Sequence, residues 1–564
     1  MLATDATSHP KQPTTSLFLA LDERAATVVI LWIGFALRLT SVDRFAFHPD
    51  EAIYSFWALH GRYVDPLFLH IWPDKPPLFL WVLQGAFDLL GTTPIAARTP
   101  NILFSTLSIA VVVALARHWW GTRAGLIAGL LMALNPFAIS FAATAFTDPL
   151  LVLAGLLAIH GATRRHPLWS GVWLGVAAMT KQQGLLFAPM VLALLFQPPL
   201  TLRQSVRYTL RLLAGLLLVA APIFYWDSLR WAVAPSPWDL GARNATGFAL
   251  SDPAAWLARL LDWMTLSRHL LGAPLPWLLL LAAMLAPLRR RGAYGSGPAS
   301  WPALVLAGWG AGFLIIHTIS TAQIWDRYLL PLAPVVALLG GFCATWSLQR
   351  CADQQTAPEC TFTQGAIAWL RIHANRAFVS MLLLAAWLLL LAGPAVQAAQ
   401  GTLAIGGDHG AYTGIDDVAA WLVERSESQP VVYHRTLGWH LQFHLFAPLQ
   451  DGQIDLRWAP SAVQLADNAA KTPHRLRYLV EADWSPARDL SLHLAARNLI
   501  AEPRLRIGRF TIYAIHETTA HPNRTAQWRV CRASVSPNAG WNTWQGIPDS
   551  TTLRCTNAQQ GALP

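Results

Sequence analysis

Charged residues that interrupt long apolar stretches are the first place to look for chemistry. Asp148 is the only acidic residue between Asp88 and Asp227, and it stands in Thr144-Ala-Phe-Thr-Asp148-Pro149. Ionisable groups at membrane depth are expensive and mark functional sites by default. Two readings of Asp148 stay open. It starts a helix, with Pro149 at the first helical position and its charge at the positive dipole end, or it does this and also contacts substrate. In Phe47-His48-Pro49-Asp50-Glu51-Ala52-Ile53-Tyr54, two adjacent carboxylates precede a tyrosine. A carboxylate with a suitable pKa beside a nucleophile acts as a general base. Lys75, in Trp72-Pro73-Asp74-Lys75-Pro76-Pro77, sits at a proline-fixed turn where its ammonium can hold an anionic leaving group. Lys181 opens Thr180-Lys181-Gln182-Gln183-Gly184, and Asp326-Arg327-Tyr328 adds a guanidinium suited to phosphate. Each has a plainer alternative: capping or a solvated loop for Asp50 and Lys75, snorkelling for Lys181, and a structural pair for Asp326 and Arg327.

The elements that must position these groups follow from composition. Of 564 residues, 54% are hydrophobic and 13% charged, against about 25% charged in an average soluble domain. Mean hydropathy is +0.37. These figures indicate an α-helical polytopic membrane protein and exclude disordered, collagen-like and disulfide-scaffold chains. The formal charge of +10 comes from 41 Lys and Arg against 31 Asp and Glu. Only Lys11, Lys75, Lys181 and Lys471 are lysines. The arginines fall in short clusters between apolar segments, which is the signature of cytoplasmic loops rather than a nucleic-acid stripe, so no nucleic-acid partner is expected.

The polar start, 1–24, leads into Ala25–Leu39 without a cleavage pattern and reads as a cytoplasmic tail before a retained first span. Further apolar segments run over Pro100–Ala116, Ala124–Phe141, Pro149–His160, Leu168–Met179, Leu185–Phe196, Leu210–Tyr225, Pro274–Leu288, Pro302–His317, Tyr328–Trp346 and Ala377–Ala395. Arg117/Arg123, Arg164/Arg165, Arg203/Arg207/Arg211, Arg289/Arg290/Arg291 and Arg350/Arg371/Arg376 mark cytoplasmic loops. The alternation closes if Pro76–Leu90 is an interfacial or re-entrant helix in a first outer, catalytic loop over 41–99. About eleven crossings result, with thirteen as the upper count. The expected organisation is a transmembrane domain over 25–400 and a small extracytoplasmic α/β domain over 401–564. Gly406–Asp417, Val418–Glu424, Val431–Tyr433, Leu476–Glu481 and Phe510–Ile515 carry the helix and strand alternation of that domain.

Taken together, Asp50–Glu51 after the first span, Lys75–Pro76–Pro77, Arg98 before the next span, Asp148–Pro149, the Thr180–Lys181 turn with Gly184 and Arg327-Tyr328-Leu329-Leu330-Pro331 resemble a family. It is the membrane glycosyltransferases of the C-type fold, in the dolichyl-phosphate-mannose-protein mannosyltransferase and lipid A aminoarabinose transferase group. The resemblance covers roughly residues 25–350. It implies transfer of one sugar, with inversion, from a polyprenyl-phosphate donor to a protein, lipid or glycan acceptor on the outer face of the cell membrane. By the same resemblance, Asp50 is the base, with Glu51 and Asp148 as further catalytic candidates. Lys75 and Arg327, with Lys181, neutralise the lipid phosphate; Tyr54, Arg98 and Tyr328 are substrate-binding candidates.

Adjacent Asp50–Glu51 is not a D-x-D motif and no compact ligand set is evident, so neither a catalytic metal nor a cofactor is expected. Asp408–His409 and His434, His440 and His444 read as surface or structural groups. Cys343, Cys351 and Cys360 lack C-x-x-C spacing. Cys531 and Cys555 are either a disulfide, if that region lies outside the cytoplasm, or two free thiols. A transporter or lipid flippase is the competing reading, but it calls for inverted repeats and paired broken helices, and the sequence displays neither.

Overall fold

The computed structural model describes residues 15–244, 249–271, 275–285, 301–353, 382, 384–518, 528–533 and 553–558. The arginines at 289–291, 371 and 376, together with Cys360, lie outside the described residues. The chain divides into two compact units, one of Met1–Arg44 with Leu67–Gly407 and one of Phe45–Pro66 with Asp408–Pro564. The outer loop expected over 41–99 is therefore shared out between the two.

Helices in chain order are α1 (Thr15–Leu39), α2 (Pro49–Tyr63), α3 (Leu78–Leu90), α4 (Pro94–Trp120), α5 (Thr122–Ala133), α6 (Pro136–Ala142), α7 (Asp148–Thr163), α8 (Pro167–Thr180), α9 (Ala188–Leu195), α10 (Leu202–Ser228), α11 (Pro237–Asn244), α12 (Trp256–Leu271), α13 (Leu275–Leu285), α14 (Trp301–Ile319), α15 (Leu332–Asp353) and α16 (Leu384–Ala399). All but α2 belong to the first unit. Their starts follow local rules. Thr93 accepts from the Ala96 N–H ahead of α4, Asn135 from the Ala138 N–H ahead of α6, and Thr201 forms a capping box with Gln204 at α10. Proline occupies the first turn of α2, α4, α6, α7 and α8, where its missing N–H costs nothing. By length and composition, α4, α10 and α14 can each cross a membrane, and α5 with α6 forms one further apolar pair bent by 54°. Segment 76–90, expected as a non-crossing helix, is α3, a shorter apolar helix.

The bend at α5–α6 frees backbone carbonyls in an apolar interior, and Arg38 on α1 takes them. Its Nη1 donates to the Ala133 carbonyl at 3.0 Å and to Gly34 at 2.9 Å; Nη2 donates to Met132 at 3.0 Å and Nε to the Ser105 hydroxyl at 2.8 Å. The Arg38 side chain is wholly buried. Leaving buried acceptors unpaired costs about 1–3 kcal/mol each. Arg38→Met is therefore expected to lower the thermal midpoint of the detergent-solubilised protein by several degrees. An unchanged midpoint would show that the bend is held some other way. Where α8 crosses α10, Gly171 and Gly215 let the backbones touch, since a Cβ on either would run into the Leu212 or Leu168 carbonyl. Such small-residue contacts substitute for the hydrophobic drive that lipid removes.

In the second unit a seven-stranded sheet runs in the order β2-β1-β3-β5-β4-β6-β7. The strands are β1 (Val431–His434), β2 (Asp455–Trp458), β3 (Arg477–Ala482), β4 (Leu499–Ile507), β5 (Phe510–Glu517), β6 (Trp528–Ala533) and β7 (Leu553–Ala558). β1 pairs in parallel with both β2 and β3, and β5 runs antiparallel to β3 and β4. Side chains alternate between faces. Val432, Val480 and Ile512 pack with Ile415, Val418 and Leu422 of α17 (Ile415–Val423) and Leu441 of α18 (Gly438–His444). Val431, Tyr433, Leu479 and Ile515 pack on the other side with Leu465, Ala466 and Leu494. The alternation expected over 406–417 starts as turns, with helix only from Ile415.

The segment carrying α2 joins this unit through aromatic contacts. Phe47 meets Phe443 at 5.0 Å, Trp57 meets Trp439 at 6.2 Å, and the His440 Nε2 donates to the Phe47 carbonyl at 2.8 Å. His440 also stacks on Tyr412 at 3.9 Å. Burial pushes His440 down to about 3 and His434 to about 4, so both are neutral structural groups. Asp408 closes a turn by accepting the N–H groups of Gly410 and Tyr412.

Candidate active site

Asp148 begins α7, and Thr147 before it makes no side-chain capping bond. The carboxylate instead turns to Lys181, with Oδ1 2.7 Å from Nζ and both side chains almost fully buried. The Thr147 hydroxyl lies 3.4 Å from Oδ2. Capping alone thus does not describe Asp148. Its turn is held from α4, where Asn101 Nδ2 donates to the carbonyls of Thr144 at 2.6 Å and Phe146 at 2.7 Å. A polar side chain inside an apolar span was the available sequence signal for Asn101.

Lys181 occupies the turn beyond α8. That turn doubles back so closely that a Cβ on Gly184 would collide with the Ala177 carbonyl, so only glycine fits. The Lys181 ammonium also lies 4.7 Å from the Tyr328 ring centre, a cation–π contact strengthened by desolvation. Arg327 extends over Phe146 at 5.2 Å and Tyr328 at 5.9 Å. Asp326 is engaged with backbone, accepting from Arg327 N at 2.7 Å and Gly406 N at 2.9 Å.

Lys75 pairs with its neighbour Asp74 at 2.6 Å. Asp74 Oδ2 also accepts from Asn244 at 2.9 Å. Gln182, next to Lys181, donates to the carbonyls of Asp74 at 3.0 Å and Pro237 at 3.1 Å. It therefore links the Lys75 loop, the Lys181 turn and α11. Asp74 and Gln182 were not among the site residues expected from sequence, because neither pairing is local.

The electrostatics tie these groups together. Burial pushes the Lys181 ammonium down to about 8; Asp148 opposes the shift, while the nearby charges of Arg327 and Lys75 add to it. Arg327 and Lys75 thus each lie within electrostatic reach of Lys181, and the two lysines are paired with carboxylates. An anion placed among the three cations relieves the repulsion at Lys181. Lys75, Asp148, Lys181, Arg327 and Tyr328 all belong to the first unit.

Asp50, Glu51 and Tyr54 stand together on α2 in the second unit. His48 Nδ1 accepts from Asp50 N at 3.1 Å, and Glu51 Oε2 accepts from His48 N at 2.9 Å, completing a capping box. Glu51 is fully buried and Asp50 half-buried. Tyr54 is buried, its ring 5.8 Å from Trp57. Arg98, buried on α4, donates to the Val42 carbonyl at 2.8 Å. Tyr54 and Arg98, which the resemblance suggested as substrate contacts, make these contacts in the structure.

Residues 74–226 match the family described as Dolichyl-phosphate-mannose-protein mannosyltransferase. Over 189 residues the chain is 29% identical to the putative mannosyltransferase YycA of Bacillus subtilis (strain 168), covering 33% of this chain and 27% of that protein. Over 235 residues it is 26% identical to undecaprenyl phosphate-alpha-4-amino-4-deoxy-L-arabinose arabinosyl transferase 2 of Proteus mirabilis (strain HI4320), covering 38% of this chain and 41% of that one. The chain thus spans well under half the length of these curated relatives. In fold it is similar to the crystal structure of ArnT from Cupriavidus metallidurans bound to undecaprenyl phosphate, with a TM-score of 0.56, 19% identity, and coverage of 90% of this chain and 100% of that one. The chain has the C-type fold of the membrane glycosyltransferases, and over residues 74–226 it carries the mannosyltransferase family match.

Proposed function

We infer that the protein is an inverting glycosyltransferase that moves one sugar from a polyprenyl-phosphate donor to a protein, lipid or glycan acceptor at the extracytoplasmic face of the cell membrane. The observation that carries this reading is that Lys75 and Arg327 both lie within electrostatic reach of Lys181, with Asp148 fixing that buried ammonium. Support also comes from the arabinosyl transferase relative named for undecaprenyl phosphate and from the ArnT structure bound to that lipid. The family match gives a transporter or flippase reading no support.

Asp50 takes the proton from the acceptor nucleophile, which attacks the anomeric carbon from the face opposite the phosphate. The anomeric carbon–oxygen bond breaks, its electron pair leaves with the lipid phosphate, and configuration inverts. Lys75, Lys181 and Arg327 stabilise the charge that develops on that phosphate. Prepositioned charge of this kind usually supplies the largest share of rate acceleration. Glu51 holds the start of α2 beside Asp50, and Tyr328 and Asn101 steady Lys181 and the Asp148 turn.

Titration of the purified protein with undecaprenyl phosphate tests the phosphate site without requiring the right sugar. Lys75→Ala is expected to weaken binding about 10- to 100-fold, the value of one charge-assisted hydrogen bond. Binding by the unaltered protein is expected to weaken as pH rises through about 8, where Lys181 loses its proton. In Lys181→Arg the fall moves to higher pH, because a guanidinium stays charged. Affinity that ignores both Lys75 and pH contradicts the assignment.

A further inference from the structure

The only cysteines in the second unit are Cys531 and Cys555, and the fold places them on adjacent strands. β6 and β7 run antiparallel, and their register sets Cys531 directly opposite Cys555. Directly opposed residues of an antiparallel pair have Cα atoms about 4.5 Å or about 5.5 Å apart, depending on the hydrogen-bonding of the pair. Both separations fall in the range of about 4.4–6.8 Å that a disulfide spans. The hairpin also has reason to need a cross-link. The next register pair sets Arg532 opposite Arg554, and like charges directly opposite each other weaken a sheet. Among the described residues, β6 is joined to the rest of the sheet by a single register pair, Arg506 with Val530.

We propose that Cys531 and Cys555 form a disulfide that staples the β6–β7 hairpin at the edge of the C-terminal sheet. The two thiols pass two protons and two electrons to a disulfide-bearing oxidant of the extracytoplasmic compartment, which becomes a dithiol as the new S–S bond forms. Such bonds persist in oxidising compartments and are rare in the cytosol. The link therefore fixes the C-terminal unit on the outer side, the side on which the arginine clusters had placed it. By closing a loop of about 25 residues it restricts the unfolded chain. The proposal does not depend on the sugar-transfer reading, and its failure would leave that reading standing.

The test uses the full-length protein in its own membranes. Cells are treated with N-ethylmaleimide before lysis, and the denatured protein is digested with trypsin without reductant. The cuts after Arg529, Arg532 and Arg554 release the peptides Val530–Arg532 and Cys555–Pro564. The expected product is one species joining these two, lighter by two hydrogens than their sum and split by reductant, while Cys343 is alkylated. In Cys531→Ser the linked species disappears and Cys555 is alkylated. Recovery of Cys531 and Cys555 as alkylated thiols in the unaltered protein, or linkage of either to another cysteine, overturns the proposal.

Discussion

Replacing Asp50 with asparagine is expected to lower sugar transfer by about 10²- to 10⁴-fold, the usual contribution of a general base, while the protein remains folded and membrane-inserted. The change keeps the size of the side chain and the helix start. The capping box at α2 depends on His48 and Glu51, not on the Asp50 carboxylate. Glu51→Gln makes the informative control. It removes the charge but keeps the oxygen that completes the cap, so stability and turnover per folded molecule are both expected to be largely kept. Asp50→Asn with normal turnover would remove Asp50 from the mechanism.

The largest effect on stability is expected at Asp148. Asp148→Asn leaves the Lys181 ammonium buried without its counter-charge, and breaking a buried pair in this way costs about 3–5 kcal/mol. Both side chains are at most 5% exposed, so solvent offers little relief. The double variant Asp148→Asn with Lys181→Met removes the stranded charge. It is expected to recover most of the lost stability, since a buried pair replaced by neutral groups is often tolerated. Binding of undecaprenyl phosphate is expected to stay weak, because one of the three cations is gone. Thermal melts of the two variants beside the unaltered protein separate the outcomes. An Asp148→Asn protein that melts normally would mean that the pair contributes nothing.

Much of the first unit was legible because its cues are local. Pro149 at the start of α7, apolar length and the isolation of Asp148 can be read within a few residues. The non-crossing character of segment 76–90 was an inference from charge sidedness, and the structure forms a short helix there, α3. The pairing of Asp148 with Lys181 was not legible. The two are 33 positions apart, and each carried a plausible solitary role as a cap or a snorkelling group. The same holds for Asn101, whose partners lie more than forty residues away.

The second unit was read least well. Phe45–Pro66 joins it through contacts with residues nearly four hundred positions later, which no local pattern announces. β1 and β3 were visible as apolar runs because both are buried on two faces. β4 was missed: Leu499-Ile-Ala-Glu-Pro-Arg-Leu-Arg-Ile507 carries a proline and a register shift between Pro503 and Leu505, which breaks the two-residue alternation. β6 and β7 were missed as well, although the cysteines that fall opposite one another there had been noticed as a pair.

The central claim, that this chain transfers sugar from a lipid phosphate, is tested most directly by product analysis. Purified protein is incubated with a panel of undecaprenyl-phosphate-linked sugars and the membrane fraction of its own cells as acceptor, and the products are followed by mass spectrometry. The expected result is loss of one sugar from one donor with release of free undecaprenyl phosphate, a matching mass gain on an acceptor, and neither change with Asp50→Asn. Consumption of no donor by folded protein that binds undecaprenyl phosphate, or consumption that Asp50→Asn leaves unchanged, would contradict the account.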